Sequence, residues 1–278
     1  MFDRLKRSFR LAGASAQVLR QDNHLMLFPI LSGVALLLVI AAFALPLFGL
    51  GSIDGIGKGG LYSAAFLFYV VQYFVIFYFN AALVGAAMIR LDGGSPTLGD
   101  GLQIANSRFG AILGYAVISA TVGVILRAIQ ERVGFIGRLI AGLLGAGWAV
   151  ATFLVVPVIV TSERGATGAI SESTALLKRT WGENVAGQVG MSAAFGLLYF
   201  AIVAAVVLLA LLLATTGAAP ALYLVLAVVA VLAFFGCMLV HATLTGIYSA
   251  VLYRYAAGGS DAPGFDRSVL ESAFHPKR

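Results

Sequence analysis

The chain predicts an all-α fold: a polytopic transmembrane helical bundle of six spans with in-plane amphipathic elbow helices. Three observations carry that prediction. Six apolar stretches, at 25–50, 62–88, 107–128, 139–161, 190–214 and 221–248, occupy most of the 278 residues. Each reaches the roughly 20 residues that a helix needs to cross a hydrocarbon core about 30 Å thick. Charged residues make up only 11% of the chain and hydrophobic ones 60%, where an ordinary soluble domain carries about 25% charge. Lysine and arginine, finally, are strongly one-sided. The N-terminal arm, the loops after spans two and four and the tail hold fourteen of them, among them Arg90, Arg108, Arg164, Lys178 and Arg254; the other side holds Lys58, Arg127, Arg132 and Arg138.

No water is available in the hydrocarbon, so each crossing must satisfy its own backbone hydrogen bonds as a helix. Basic loops mark the cytoplasmic side, which places both termini in the cytoplasm of a plasma-membrane protein. The same loops account for the net charge of +6. No basic soluble domain exists for nucleic acid, and none is expected as a partner.

The N-terminal arm reads as an amphipathic helix. Phe2, Leu5, Phe9, Ala12, Ala16 and Leu19 recur at spacings of three and four, with Arg4, Lys6, Arg7 and Arg10 on the flanks and opposite face. Such a helix lies in the interface, its basic residues near anionic lipid headgroups. Phe2, Arg4, Leu5, Lys6, Arg7, Phe9 and Arg10 are the expected interface anchor. The first apolar run begins after 24 residues and is too long for a signal h-region, so it reads as an uncleaved span.

The outer loop at 51–60 is glycine-rich and contains Gly57-Lys58, but it fails as a phosphate loop. Ser52 stands at the first glycine position and Gly59 follows the lysine. Span two carries Gln72 and Asn80, about two helical turns apart. A cytoplasmic elbow follows, in which Thr97 and Asp100 resemble a capping box.

Shifting the sequence by 72 residues aligns this elbow with a later one. Leu98, Leu102, Ala105 and Phe109 fall on Ile170, Thr174, Leu177 and Trp181, Asp100 on Glu172, and Gly110 on Gly182. Phe109 with Gly110, and Trp181 with Gly182, read as an interfacial aromatic beside a glycine that permits a sharp elbow. The chain then parses as a single transmembrane domain, 1–256, in three units of elbow helix plus hairpin (1–90, 91–161 and 162–256), with a flexible cytoplasmic tail at 257–278. On the outer side, Arg127, Arg132 and Arg138 are the exception. Either Glu131 offsets them in a short surface helix, or spans three and four form a shallow pair.

Chemistry-bearing residues are sparse. No Asp or Glu lies inside a span, which weighs against ion-coupled transport. His241 is the ionisable residue within a span, followed by Thr243 and Thr245. Three histidines and the lone Cys237 give no expected metal site, cofactor or disulfide. No catalytic motif is present and no enzyme activity is expected. Gln72, Asn80 and His241 form a candidate polar seam.

The stretches Met1-Phe2-Asp3-Arg4-Leu5-Lys6-Arg7-Ser8, Leu27-Phe28-Pro29, Phe79-Asn80-Ala81-Ala82-Leu83, Thr97-Leu98-Gly99-Asp100-Gly101-Leu102 and Thr180-Trp181-Gly182-Glu183-Asn184 together resemble a prokaryotic membrane family, the domain-of-unknown-function family 6159. The resemblance spans nearly all of 1–255 and implies a six-span fold but no activity. Two functions stay open. The leading expectation is a non-enzymatic membrane scaffold or interaction module engaging lipid, a protein partner or a second copy. The alternative is a channel or permease for a small or amphiphilic solute.

Overall fold

The structure is a computed structural model describing residues 19–20, 22–49, 57–132, 134–216 and 219–257. The interface anchor Phe2–Arg10 and nearly all of the tail lie outside the described residues. After a 3-10 turn, Asn23–Met26, the helices are α1 (Leu27–Gly49), α2 (Lys58–Leu91), α3 (Leu98–Ser107), α4 (Phe109–Arg132), α5 (Gly134–Ala151), α6 (Val155–Thr161), α7 (Ala166–Thr215) and α8 (Pro220–Ala256). Among the described residues there is no strand. Six stretches are long and apolar enough to cross a membrane: Asn23–Pro46, Gly59–Leu91, Phe109–Glu131, Gly137–Thr161, Gly190–Thr215 and Pro220–Arg254. Their order matches the six stretches read from the sequence.

The surface explains why this chain needs lipid. Phe200 is 72% exposed and Leu224 68%, and exposed large apolar side chains recur from Leu197 to Leu212 of α7 and from Leu222 to Met238 of α8. Soluble proteins do not present contiguous apolar surface on that scale. The protein is therefore an integral, multi-pass membrane protein.

The centre is α2. Its segment Ala81–Ala87 is buried on every side, and the helix packs against α1, α3, α4, α6 and α8. Small residues make that possible. A Cβ on Gly246 of α8 would stand 2.5 Å from Leu83, and one on Gly85 would stand 2.9 Å from Ile104 of α3.

The first elbow is a separate helix with its own cap. The Asp100 backbone N–H donates to the Thr97 hydroxyl at 3.2 Å, and the Thr97 backbone N–H donates to the Asp100 carboxylate at 2.8 Å. Aspartate thus completes the capping box that the sequence suggested. Helix α3 then folds back along α2: a Cβ on Gly101 would lie 2.7 Å from the Ala82 carbonyl, and the Tyr78 hydroxyl donates to Asn106 at 2.8 Å. The turn before it needs Gly93, whose φ of +86° suits a residue without a Cβ.

Two expectations about the elbows need correcting. The chain bends at Arg108 (φ −111°, ψ 14°), so Gly110 already lies inside α4. Phe109 instead packs its ring on Phe74 of α2, with centroids 4.9 Å apart. The second elbow is not a break at all, because α7 runs as one helix from Ala166 through Trp181 and Gly182 to Thr215. The side chains of Trp181 and Gly182 lie outside the described residues. A glycine permits a bend without requiring one, and here the helix's own hydrogen bonds continue.

The break falls in span four instead, between α5 and α6 at Thr152–Leu154. Pro157 causes it locally, since it has no N–H and its ring clashes with the carbonyl four residues earlier. Ser173 of α7 repairs it. The Leu154 N–H donates to the Ser173 hydroxyl at 3.2 Å, and that hydroxyl donates to the Ala151 carbonyl at 2.8 Å. The pairs Ala82/Gly101 and Leu154/Ser173 are separated by the same 72 residues that align the two elbows.

The outer basic cluster also differs from expectation. Arg127 and Glu131 are not on a separate surface helix but on the last turns of α4, paired at 3.0 Å. Arg127 also donates to the Tyr69 hydroxyl of α2 at 2.6 Å. From Arg108 to Arg127 the helix rises about 28 Å, nearly the full hydrocarbon thickness. Span three is long enough to cross completely.

Candidate functional site

The antiparallel run of helices brings the start of α1 and the ends of α2 and α8 to the elbow end of the bundle. Arg254 of α8 forms an ion pair there with Asp92, just past α2. Arg164 pairs with Glu172 at 2.6 Å at the start of α7. Glu172, which falls on Asp100 under the 72-residue shift, is thus a partner for a neighbouring arginine.

Between these helices, on the elbow side, lies a cleft of about 660 Å³. Its walls come from α1 (Pro29, Ser32, Gly33, Leu36), α2 (Ile76, Phe77, Phe79, Asn80, Leu83), Tyr115 of α4, the break and first turn of α6 (Thr152, Phe153, Val156), Tyr199 of α7, and α8 from Phe235 to Ser249. That size is ordinary for a small-molecule site. Asn80 and His241 from the candidate seam both line it. Gln72, half-buried two turns away on α2, is not among the lining residues.

His241 is held on two sides. Its ring stacks on Phe195 with centroids 4.2 Å apart and planes 10° apart, and its Nδ1 is 3.2 Å from the Tyr199 hydroxyl. Phe195 and Tyr199 are four residues apart on α7 and so share one face. Asn80 lies opposite on α2; among the described residues its side-chain amide makes no hydrogen bond. Gly246 keeps the space beside it open, since a Cβ there would come 3.4 Å from the Asn80 Oδ1.

Three of the hydroxyls around them are already committed as donors. Thr245 donates to the His241 carbonyl at 2.8 Å, Ser249 to the Gly246 carbonyl at 2.8 Å, and Thr152 to the Trp148 carbonyl at 2.8 Å. A molecule in the cleft therefore meets Asn80 and His241, together with the hydroxyls of Ser32, Tyr115 and Tyr199, on a wall of aromatic and aliphatic groups. Asp, Glu, Lys and Arg are absent from the described lining. Among the described residues no cluster of His, Cys, Asp or Glu can hold a metal ion.

Depth follows from helix rise. Tyr69 marks the far interface through its bond to Arg127, and Arg90 the near one. Asn80 is about 16 Å along α2 from Tyr69 and about 15 Å from Arg90. It sits near the middle of the span. His241 is about 20 Å from Arg254 along α8 and so lies at a similar level.

Tyr199 and Ser173 were not singled out from the sequence. Tyrosine favours the interface, so one placed mid-span, four residues after a phenylalanine, was the available signal for Tyr199. Ser173 falls on Gly101 under the 72-residue shift, a small residue on a small residue, which marks a close helix contact without saying which.

No curated protein and no solved structure matches the chain. The family of unknown function DUF6159 matches residues 60–264. That stretch takes in nearly all of α2 and everything through α8; the N-terminal arm and α1, which the resemblance read from the sequence had included, fall before it. With most of its length matched and all six membrane-crossing stretches in place, this chain belongs to the DUF6159 family.

Proposed function

We propose that this protein is a non-enzymatic membrane protein that takes an amphiphilic molecule from the surrounding bilayer into the cleft between α1, α2 and α8. One observation carries the reading. The rim of the cleft includes Met238 and Phe235, which are 50% and 47% exposed at mid-span on α8. A mouth at that depth faces hydrocarbon, and what enters through it must partition into lipid first. This is the interaction-module reading with lipid as the partner.

A permease for a small or amphiphilic solute is the second reading. Asn80 and His241 face the cleft near the span midpoint, where transporter sites commonly lie. Against a continuous path stands the extent of the lining on α8, which covers Phe235 to Ser249, about 21 Å of helix on the elbow side.

The positive-inside bias supports a plasma-membrane location with the elbow end and both termini cytoplasmic. The equal spacing of Ala82/Gly101 and Leu154/Ser173 supports an internal repeat in which a short helix or helix start folds back on the preceding span. A protein partner or second copy would meet the cytoplasmic elbow α3.

The test is lipid retention. Protein extracted in mild detergent should carry a lipid-mass adduct in native mass spectrometry, and Ala242→Trp, which fills the rim, should lose it. No adduct on the wild type, or equal adducts on both, would overturn the cleft as a lipid site. Flux of small solutes through proteoliposomes that Ala242→Trp blocks would favour the permease.

A further inference from the structure

We infer that the cleft selects a lipid whose polar group is uncharged, with Asn80 and His241 as its polar contacts. This rests on the reading above and adds the class of ligand.

Charge is the first argument. Asn80 lies near the middle of the span, about 15 Å from either charged level, with His241 at a similar depth. A carboxylate or phosphate brought there loses its water, at a cost of several kcal/mol or more unless a counter-charge or dense hydrogen bonding replaces it. The described lining offers no such counter-charge. Arg254, five residues beyond Ser249 and well below Asn80, pairs with Asp92 through Nη2, and its buried Nη1 has no partner among the described residues. A phospholipid headgroup brought to the depth of Asn80 would find no counter-charge in the lining.

Hydrogen bonding is the second. Asn80 presents an amide that has no partner among the described residues, in a cleft whose mouth faces hydrocarbon. A bare amide in that setting is costly, so an occupant that bonds to it gains. The amide both donates and accepts. In the tautomer where Tyr199 donates to Nδ1, His241 keeps an Nε2–H donor as well. The complementary group is a hydroxyl, ester or carbonyl on a lipid small enough to reach the midplane, such as a diacylglycerol. The aromatic walls, Phe77, Phe153 and Phe235 among them, then take the apolar part.

The experiment is photo-crosslinking of the full chain in phosphatidylcholine vesicles, with photoactivatable diacylglycerol or photoactivatable phosphatidylglycerol as a trace lipid. Diacylglycerol should label α8 between Phe235 and Ala242, and unlabelled diacylglycerol, not phosphatidylglycerol, should compete. Asn80→Leu and His241→Phe keep the bulk but remove the hydrogen bonds, and each should lower that labelling about ten-fold. Asn80→Gln, which keeps an amide, should retain most of it and guards against simple misfolding. If phosphatidylglycerol labels or competes equally, or the two apolar variants label as well as wild type, the uncharged-head inference fails while the lipid cleft stands. If neither lipid labels α8 above the other helices, the lipid cleft fails too.

Discussion

Ser173 accepts a hydrogen bond from the Leu154 backbone N–H at 3.2 Å, joining α7 to the broken fourth span, and returns its own proton to the Ala151 carbonyl. One buried hydroxyl thus satisfies a donor and an acceptor that the helix break sets free. In a low-dielectric interior such groups are costly when left unpaired. Ser173→Ala should therefore destabilise the protein by about 1–3 kcal/mol. Thermal unfolding in detergent, followed with a thiol-reactive dye on the lone Cys237, would measure it. A change within error would mean that the break finds other partners.

Glycines should divide by what surrounds them. A Cβ on Gly101 would meet the Ala82 carbonyl oxygen at 2.7 Å, and a backbone atom there cannot swing aside. Gly101→Ala should cost about 1–3 kcal/mol as α3 is pushed off α2. Nothing lies within 4 Å of a Cβ on Gly110 or Gly196. Alanine at either should be neutral or stabilise by up to about 1 kcal/mol through helix propensity. The same unfolding assay ranks all three.

The cap of α3 carries a pH dependence of known sign. Hydrogen bonds from the Thr97 hydroxyl and then the Thr97 backbone hold the Asp100 carboxyl below its ordinary value. Because the folded value is the lower one, the cap's contribution is complete above the ordinary carboxylate range. It is lost as pH falls through that range toward the folded value. Hydrogen exchange at the start of α3 should speed up on acidification in the wild type and depend less on pH in Asp100→Asn. Thr97→Ala should weaken the helix by about 1 kcal/mol at neutral pH.

The Arg254–Asp92 pair ties the last turn of α8 to the turn after α2, with Asp92 mostly exposed. A double-mutant cycle of Arg254→Ala and Asp92→Ala should give a coupling of about 0.2–1 kcal/mol, shrinking in high salt. A coupling well above that range would show that the pair is shielded from water.

Sidedness can be read by cysteine labelling in a Cys237→Ser background. Ser95→Cys and Glu163→Cys, both in links at the elbow end, should react with an impermeant reagent from the same side of the membrane. Gly57→Cys should react from the other. Labelling of Ser95→Cys and Gly57→Cys from one side would refute the crossing of α2.

The sequence by itself determined the class, the six crossings and their order, because crossing a bilayer is a constraint of length and polarity that each segment meets alone. It also determined the cap at Thr97 and Asp100, which is a bond between neighbours. Asn80 and His241 stood out because polar groups inside apolar spans are rare. What only the tertiary structure decided lies between segments. The glycine at 182 permits an elbow, yet α7 runs straight through it. Pro157 breaks a helix locally, but Ser173, nineteen residues past Leu154 in the chain, decides whether the break is tolerated. The cleft, and the pairing of His241 with Tyr199, depends on how α7 packs on α8 and α8 on α2. In lipid that packing is set by small residues and shape rather than by a difference in hydrophobicity, and a sequence pattern does not record it.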